Sequence, residues 1–323
     1  MLSTLYAAVA RRRREWYAAR PERRHRLRNP VISISNLAVG GRGKTPLTAA
    51  IARMLRDLGE RPAILSRGYA RAHPVRGVVV VRDAEGIRAD LARAGDEPLM
   101  LARQLPGVAV LVCRERYLAG RHAEEQLGAT IHVLDDGFQH LQLERDVDLL
   151  LLAREDVEDP VTLPAGRLRE PLDTIYVADA VLKMDDDVVI DVDGAELPVF
   201  GVKRSQCPPP PDDRPVLAVA GIASPERFFG DLRASRWNVA ETIGFRDHHR
   251  YSSREVAHLM NEADRLTAAR IVTTEKDLVR LLPFRPFRVP VVSVPITLEP
   301  HPLDQFRDWL VARIRTTRGQ SDV

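Results

Sequence analysis

A chain of 323 residues that is 45% hydrophobic and 29% charged can bury the cores of two ordinary domains, which excludes a disordered or fibrous protein. Its two cysteines, Cys113 and Cys207, stand far apart with no metal-ligand spacing around either, which excludes a disulfide framework or a structural zinc site and fits a reducing compartment. The formal net charge of +3 is uneven: residues 1–29 carry nine arginines against Glu15 and Glu22, a local +7 on a body of −4, so this end is suited to an anionic partner.

The first predicted element lies in that basic end. Leu2, Leu5, Tyr6 and Val9 follow helical spacing, and Trp16 and Tyr17 extend the apolar face beyond Arg11–Arg14, which is the pattern of an interfacial helix. The apolar stretch Leu2–Ala10 falls far short of the roughly 20 residues that span a bilayer. Its positive charges follow it, unlike those of a signal peptide. Three uses stay open: docking on a membrane surface, packing as a plain terminal helix, or contact with nucleic acid. The last has no helix-turn-helix or RNA-binding signature downstream to support it.

From Val31 onward, short apolar runs alternate with helical patterns. Segments 31–37, 62–67, 107–113, 129–136 and 147–153 read as strands, and 44–58, 96–104 and 115–126 as the crossover helices between them. Several strands are almost continuously apolar, which implies burial on both faces and hence a parallel sheet flanked by helices. The stretch SQCPPPPDDRP (205–215) holds five prolines in eleven residues and marks a boundary. Beyond it a second alternation begins: strands at 214–222, 238–245, 269–274 and 290–298, with helices from about Pro225 and Ser253. The expected fold is α/β: a P-loop NTPase-like parallel sheet flanked by helices, a second smaller α/β domain and an N-terminal amphipathic helix. The expected partition is a basic helix over 1–29, a core over 30–204, a linker over 205–215 and a C-terminal domain over 216–323.

NLAVGGRGKTP (36–46) sits between the first strand and the first crossover helix, the context in which Gly-Lys-Thr means phosphate binding. Gly40, Gly41 and Gly43 free backbone N–H groups to close around phosphate oxygens, and the helix N-terminus adds partial positive charge. Lys44 is expected at the β- and γ-phosphates and the Thr45 hydroxyl on Mg²⁺, with Val39, Arg42 and Pro46 completing the nucleotide loop. Only four lysines stand against 44 arginines, yet one occupies this place. Ala38 stands where the pattern usually has its first glycine. Asp135 and Asp136 follow a buried run, as a Walker B pair or as a turn that closes a strand; Asp135 is the expected metal ligand and Asp136 a catalytic group.

These stretches, together with LSRGY (65–69), GDEP (95–98), LDDGFQH (134–140), LPAGRLREP (163–171), VAGIASPERFF (219–229), DHHRYS (247–252) and TTEKD (273–277), cover most of the chain in order, and the sequence closely resembles the tetraacyldisaccharide 4′-kinases of lipid A biosynthesis. It departs from them at Arg42, where the family usually carries a small polar residue. The resemblance implies ATP and Mg²⁺ as cofactors. It also implies transfer of the γ-phosphate to the 4′-hydroxyl of a tetraacylated glucosamine disaccharide 1-phosphate, giving lipid IVA. The expected place is the cytoplasmic face of the bacterial inner membrane, with the protein bound peripherally, no nucleic-acid partner and a monomer favoured.

Read from its own residues, Asp96 is either the cap of a helix or a general base; the resemblance favours the base, with Glu97 as a further Mg²⁺ or water ligand. The same resemblance makes His248 its partner, with His249 as the alternative. Gln139, His140, Arg116, Arg167, Arg169 and Glu170 are candidates for binding the substrate, since guanidinium forks match phosphate oxygens. Because Asp96 and His248 fall on opposite sides of the proline-rich stretch, they are expected to meet when substrate draws the second domain over the loop. In TTEKD, Thr274 and Asp277 fit a helix cap. The rival reading is a regulatory P-loop switch docked on membranes, although no guanine-reading Asn-Lys-x-Asp segment is present.

Overall fold

The computed structural model describes residues 1–40, 43–69, 71–73, 75–185, 187–188, 197–206 and 213–321. Gly41, Arg42, Cys207 and most of the expected linker lie outside them. In chain order the elements are α1 (Leu2–Ala18), β1 (Val31–Asn36), α2 (Lys44–Asp57), β2 (Pro62–Ser66), β3 (Val79–Asp83), β4 (Gly86–Ile87), α3 (Leu91–Ala94), α4 (Asp96–Gln104), β5 (Ala109–Val112), α5 (Arg116–Leu127), β6 (Ile131–Asp135), β7 (Val147–Leu152) and α6 (Arg154–Glu158). They continue with β8 (Ala180–Lys183), β9 (Val199–Gln206), β10 (Val216–Ala220), α7 (Pro225–Ala234), β11 (Val239–Gly244), α8 (Ser253–Arg265), β12 (Arg270–Thr274), α9 (Glu275–Leu281), β13 (Val291–Val294), β14 (Ile296–His301) and α10 (Leu303–Ser321).

Ten strands form one sheet in the order β14-β9-β8-β7-β1-β6-β2-β5-β3-β4, parallel from β9 to β5 and antiparallel at both edges. Its middle strands β1, β2, β6 and β7 are buried along their whole length, as expected of strands covered on both faces. Helix α2 buries Leu47, Ile51, Ala52 and Leu55, a stripe at helical spacing, against this sheet. Strand β1 lies between β6 and β7, so the chain winds away from it in both directions and leaves a crevice at the carboxyl ends of the strands.

The second sheet has four parallel strands in the order β11-β10-β12-β13. The expected single strand at 290–298 is instead two strands divided by Pro295: β13 ends the small sheet, while β14 pairs antiparallel with β9 in the large one. Proline has no N–H for a ladder, so the run changes partners there. Residues 296–321, grouped by the sequence with the second domain, therefore belong to the large sheet, where Leu298, Phe306, Leu310 and Ile314 join its core.

Phe306 is fully buried and meets Phe200 edge-to-face at 5.2 Å. Phe306→Ala should cost about 3–5 kcal/mol of stability. Denaturant unfolding tests this, and a cost below about 1 kcal/mol would show that α10 is not part of the core.

Candidate active site

The crevice at the end of β1 holds the glycine-rich loop. Gly43 caps α2 at φ +81°, a left-handed conformation that favours glycine, and a Cβ there would run into the Leu298 side chain of β14. Ala38 is fully buried; the loop backbone around it bonds to residues 167–169, with Val39 N–H donating to Arg167 O at 2.9 Å and Arg169 N–H to Leu37 O at 2.6 Å. The methyl of Ala38 fills a core cluster with Phe138 and Leu168, so no glycine is needed at that position. Lys44 Nζ donates to Asn36 Oδ1 at 2.8 Å and to Gly40 O at 3.2 Å, and lies 3.7 Å from Asp136. Burial lowers the Lys44 pKa, an effect that Asp136 opposes.

Asp136 follows β6 at φ +58°, a left-handed position uncommon for a residue with a side chain. Arg169 holds it with two hydrogen bonds of 2.7 and 2.9 Å and also reaches Asn36 Oδ1 at 2.9 Å. Burial would raise the Asp136 pKa, but Arg169 and Lys44 keep it low. The Asp135 carboxylate accepts a hydrogen bond from Thr48 Oγ1 at 3.3 Å; burial first, then Glu97 and Asp136, push its carboxyl up to about 7. Thr45, Glu97 and Asp135 line the same cleft. Among the described residues no three carboxylate, thiolate or imidazole groups close on one point. That donor set suits Mg²⁺, which takes one or two carboxylates and fills its shell with water and phosphate oxygens. Gln139 also lines the cleft, with its Oε1 buried and without a hydrogen-bond partner among the described residues.

Asp96 begins α4 and is 7% exposed. Its Oδ1 accepts the Glu97 N–H at 2.9 Å, whereas its Oδ2 receives side chains from the small sheet: His248 Nδ1 at 2.9 Å and Arg280 Nε at 3.0 Å, with Arg280 Nη2 also in contact. Arg280 Nη1 donates to Gly221 O at 2.7 Å and Asp277 Oδ1 at 3.0 Å, which fixes the guanidinium within the small sheet. Burial alone would raise the Asp96 pKa, but His248 and Arg280 hold it well below the usual carboxylate range. His248 stands at φ +55°, again left-handed. Beside it, Lys276 pairs with Glu97, and Gln104 donates to Glu275 Oε1 at 2.6 Å.

Asp96 and His248, which fall on opposite sides of the proline-rich stretch, are thus in contact in this structure. His249 points elsewhere, 3.0 Å from Glu255 and stacked on Phe245. Val39, Gly40, Pro46, Arg116, His140 and Arg169 line the cleft. Arg167 and Glu170 do not. Arg167 pairs with buried Asp156 at 3.0 Å, and Glu170 is held by Arg14 of α1 at 2.8 and 2.9 Å. Arg169 therefore reaches Asp136 and Arg167 reaches Asp156, although the two stand only two positions apart. Sequence reasoning missed Lys276 and Arg280. The scarcity of lysine was the available signal for Lys276, but Thr274 and Asp277 do cap α9 and that role accounted for the motif.

Helix α1 crosses the mouth of the cleft, contributing Arg13, Trp16 and Tyr17 to its lining. Its inward face is Ser3, Ala7, Ala10, Arg14 and Tyr17, whereas Leu2, Leu5 and Val9 are at least 60% exposed. Arg14 lies 4.1 Å over Phe138, and Thr162 Oγ1 donates to Ser3 O at 2.8 Å. The helix is therefore anchored by its small and polar side. Among the described residues no helix is long and apolar enough to cross a membrane.

A parallel sheet with a Gly-Lys-Thr loop on its central strand, an acidic pair on the neighbouring strand and a second set of polar side chains across a cleft of about 1700 Å³ defines a P-loop kinase. Residues 1–315 match the family described as tetraacyldisaccharide-1-P 4′-kinase, and the chain belongs to that family. It is 37% identical over 327 residues to the tetraacyldisaccharide 4′-kinase of Koribacter versatilis, covering 98% of this chain and 99% of that one. It is 42% identical to the enzyme of Bradyrhizobium diazoefficiens across 78% of this chain and 75% of the relative. Among solved structures, LpxK from Aquifex aeolicus in complex with ATP superposes with a TM-score of 0.81 at 32% identity, covering 97% of each chain.

The hydrogen bond that His248 donates to Asp96 raises the His248 pKa above its ordinary value of 6.5. Because the folded state binds this proton more tightly than the unfolded state, the linked stabilisation is complete below about pH 6.5 and is lost as pH rises through the raised value. The melting-temperature gap between the wild type and His248→Asn should therefore be widest near about pH 6 and shrink toward about pH 9. A gap that stays constant or widens over that range would remove the proton from the account.

Proposed function

We propose that the protein transfers the γ-phosphate of ATP to the 4′-hydroxyl of a tetraacylated glucosamine disaccharide 1-phosphate, working from the cytoplasmic face of the inner membrane. The observation that carries this reading is a single cleft lined by the Lys44 loop, the Asp135–Asp136 pair and His248, with Asp96 directly behind His248 and an outward apolar stripe at its mouth.

The backbone of the 39–46 loop and the α2 N-terminus bind the triphosphate, with Gly41 and Arg42 included on the strength of the sequence. Lys44 and Arg169, already arranged around Asp136, supply positive charge to the transferring group. Thr45, Asp135 and Glu97 would hold Mg²⁺, which when bound neutralises phosphate oxygens. Phosphoryl transfer passes through a loose transition state in which the attacking hydroxyl loses its proton late. A carboxylate that stays anionic is suited to this: Asp96 orients the sugar hydroxyl by accepting its hydrogen bond, and His248 shares the proton as it leaves. Gln139, whose Oε1 has no partner among the described residues, and Arg116 and His140 face the acceptor. The small sheet acts as the second working unit, meeting the first at Asp96.

Incubation with γ-labelled ATP and the disaccharide 1-phosphate lipid tests this directly. Labelled lipid is expected from the wild type, and kcat/KM is expected to fall by about 10²–10³ in Lys44→Ala, which loses a cation aimed at the transition state. Labelling no greater than that of Lys44→Ala would end the proposal.

The stripe Leu2, Leu5 and Val9 would enter the interface while nearby arginines meet anionic headgroups. Deleting residues 1–20 should reduce co-sedimentation with anionic vesicles, and salt should weaken binding of the full chain. Equal sedimentation of the truncated and full-length proteins would leave α1 a purely structural role.

A further inference from the structure

Where α4 meets α9, one carboxylate has two demands on it. Lys276 and Arg280 stand four apart on one face of α9 and meet Glu97 and Asp96, neighbours in the first turn of α4. The two ion pairs differ in how firmly they are held. Arg280 and Asp96 are both buried, and Arg280 is also bonded to Gly221 O and Asp277 Oδ1, so that pair is locked. Lys276 and Glu97 both line the cleft, with side chains 20% and 28% exposed, and among the described residues Glu97 is the one hydrogen-bond acceptor of the Lys276 ammonium. Burial would lower the Lys276 pKa, but Glu97, then Asp96 and Asp247, raise it, so the ammonium keeps its charge. Glu97 also acts in the other direction: after burial it is the largest influence on the Asp135 carboxyl, ahead of the adjacent Asp136, so the two carboxylates assigned to Mg²⁺ lie near each other.

We propose that Lys276 is a positioning residue that competes with the metal for Glu97: its ammonium holds this carboxylate until Mg²⁺ and nucleotide enter, and is then displaced from it. This rests on the assignment of Glu97 to Mg²⁺ made above. A carboxylate held by one flexible ammonium within reach of water is weakly held, whereas a hard divalent cation already on a triphosphate takes carboxylate oxygens directly. Until the exchange, Lys276 keeps Glu97 from standing beside Asp135 and Asp136 as a further uncompensated negative charge. The exchange removes one of three ties between α4 and α9, while Asp96–Arg280 and Gln104–Glu275 remain. Loading of the nucleotide end of the cleft is thereby linked to the contact that joins the two sheets, and by reciprocity a firmer Glu97–Lys276 contact weakens the hold on the metal. Lys276 acts through Glu97 and needs no contact with either substrate.

The test measures binding of a non-hydrolysable ATP analogue to the full-length protein by calorimetry, once with Mg²⁺ and once with a chelator, and reads the ratio of the two dissociation constants. Lys276→Met keeps an apolar stem and removes the charge. It should increase the advantage conferred by Mg²⁺ by about tenfold, because no ammonium has to leave. Lys276→Arg should stay near the wild type. Glu97→Gln should reduce the advantage and make Lys276→Met silent when the two are combined. With the chelator, Lys276→Met should melt below the wild type, and that gap should close when Mg²⁺ and the analogue are both present. A merely structural ion pair would lower the melting temperature equally in both conditions and leave the ratio unchanged. Either result would overturn the proposal, as would a smaller ratio in Lys276→Met. No acceptor lipid enters these measurements, so their outcome is separate from the kinase reading. If Glu97→Gln kept the wild-type ratio, Glu97 would not hold the metal and the competition would be overturned, while transfer of label to the lipid would stand or fall on its own.

Discussion

Asp96 is a carboxylate almost wholly removed from water, and an unpaired anion in that position would cost several kcal/mol. Its compensation comes from the small sheet, through Arg280 and His248, not from the sheet that carries it. The demand of one buried charge therefore fixes how the two sheets meet. Once Arg280 is in place, the Asp277 and Gly221 groups that hold it are fixed as well, and Glu97 and Gln104 on α4 find Lys276 and Glu275 on α9. The same contacts set Asp96 against His248, which lines the cleft.

Charge is arranged in opposite senses across that cleft. Asp135, Asp136 and Glu97 crowd one wall; Lys44 and Arg169 meet Asp136 and Lys276 meets Glu97, so among the described residues Asp135 has no cation within ion-pair distance and a divalent cation fits beside it. Farther toward α1, Arg13, Arg67 and Arg116 line the cleft, and among the described residues none of the three has a carboxylate within ion-pair distance. A site that leaves both imbalances open is complete only when a cation and polyanionic substrates fill it. Two residues beside these regions, Asp136 and His248, hold left-handed backbone conformations that packing must maintain.

The sequence was most informative where one physical rule dominated. Fully buried strands read as apolar runs, and the loop at 36–46 was recognisable from three glycines and a lysine in a chain almost devoid of lysine. Strands β8 and β9 escaped notice because AVLK is only four residues long and VFGVKRSQ is interrupted by glycine and charge. Pro295 was read as lying inside a strand because a β-branched run continues on both sides; only the pairing partners show that the run belongs to two sheets. Arg167, Arg169 and Glu170 look equivalent in one dimension. Which of them reaches the cleft depends on distant partners: Asp156 takes Arg167, Asp136 takes Arg169, and Arg14, more than 150 residues away in the chain, takes Glu170. The Asp96–Arg280 contact spans 184 positions and leaves no local trace.

The passage of the chain at Pro295 has a mechanical consequence. Because β14 and α10 return to the large sheet, the small sheet is an insertion, attached where the chain leaves β9 and again where it re-enters at β14. A domain at the end of a chain swings from one point; an insertion held at two is left mainly with rotation about the line joining them. β9 and β14 are hydrogen-bonded neighbours, so both attachments lie on the same edge of the large sheet and the permitted motion is that of a hinge. The α2 face of that edge also packs against the phosphate loop, since Leu298 of β14 lies against Gly43. A small rotation there is therefore felt at the nucleotide end of the cleft as well as at Asp96.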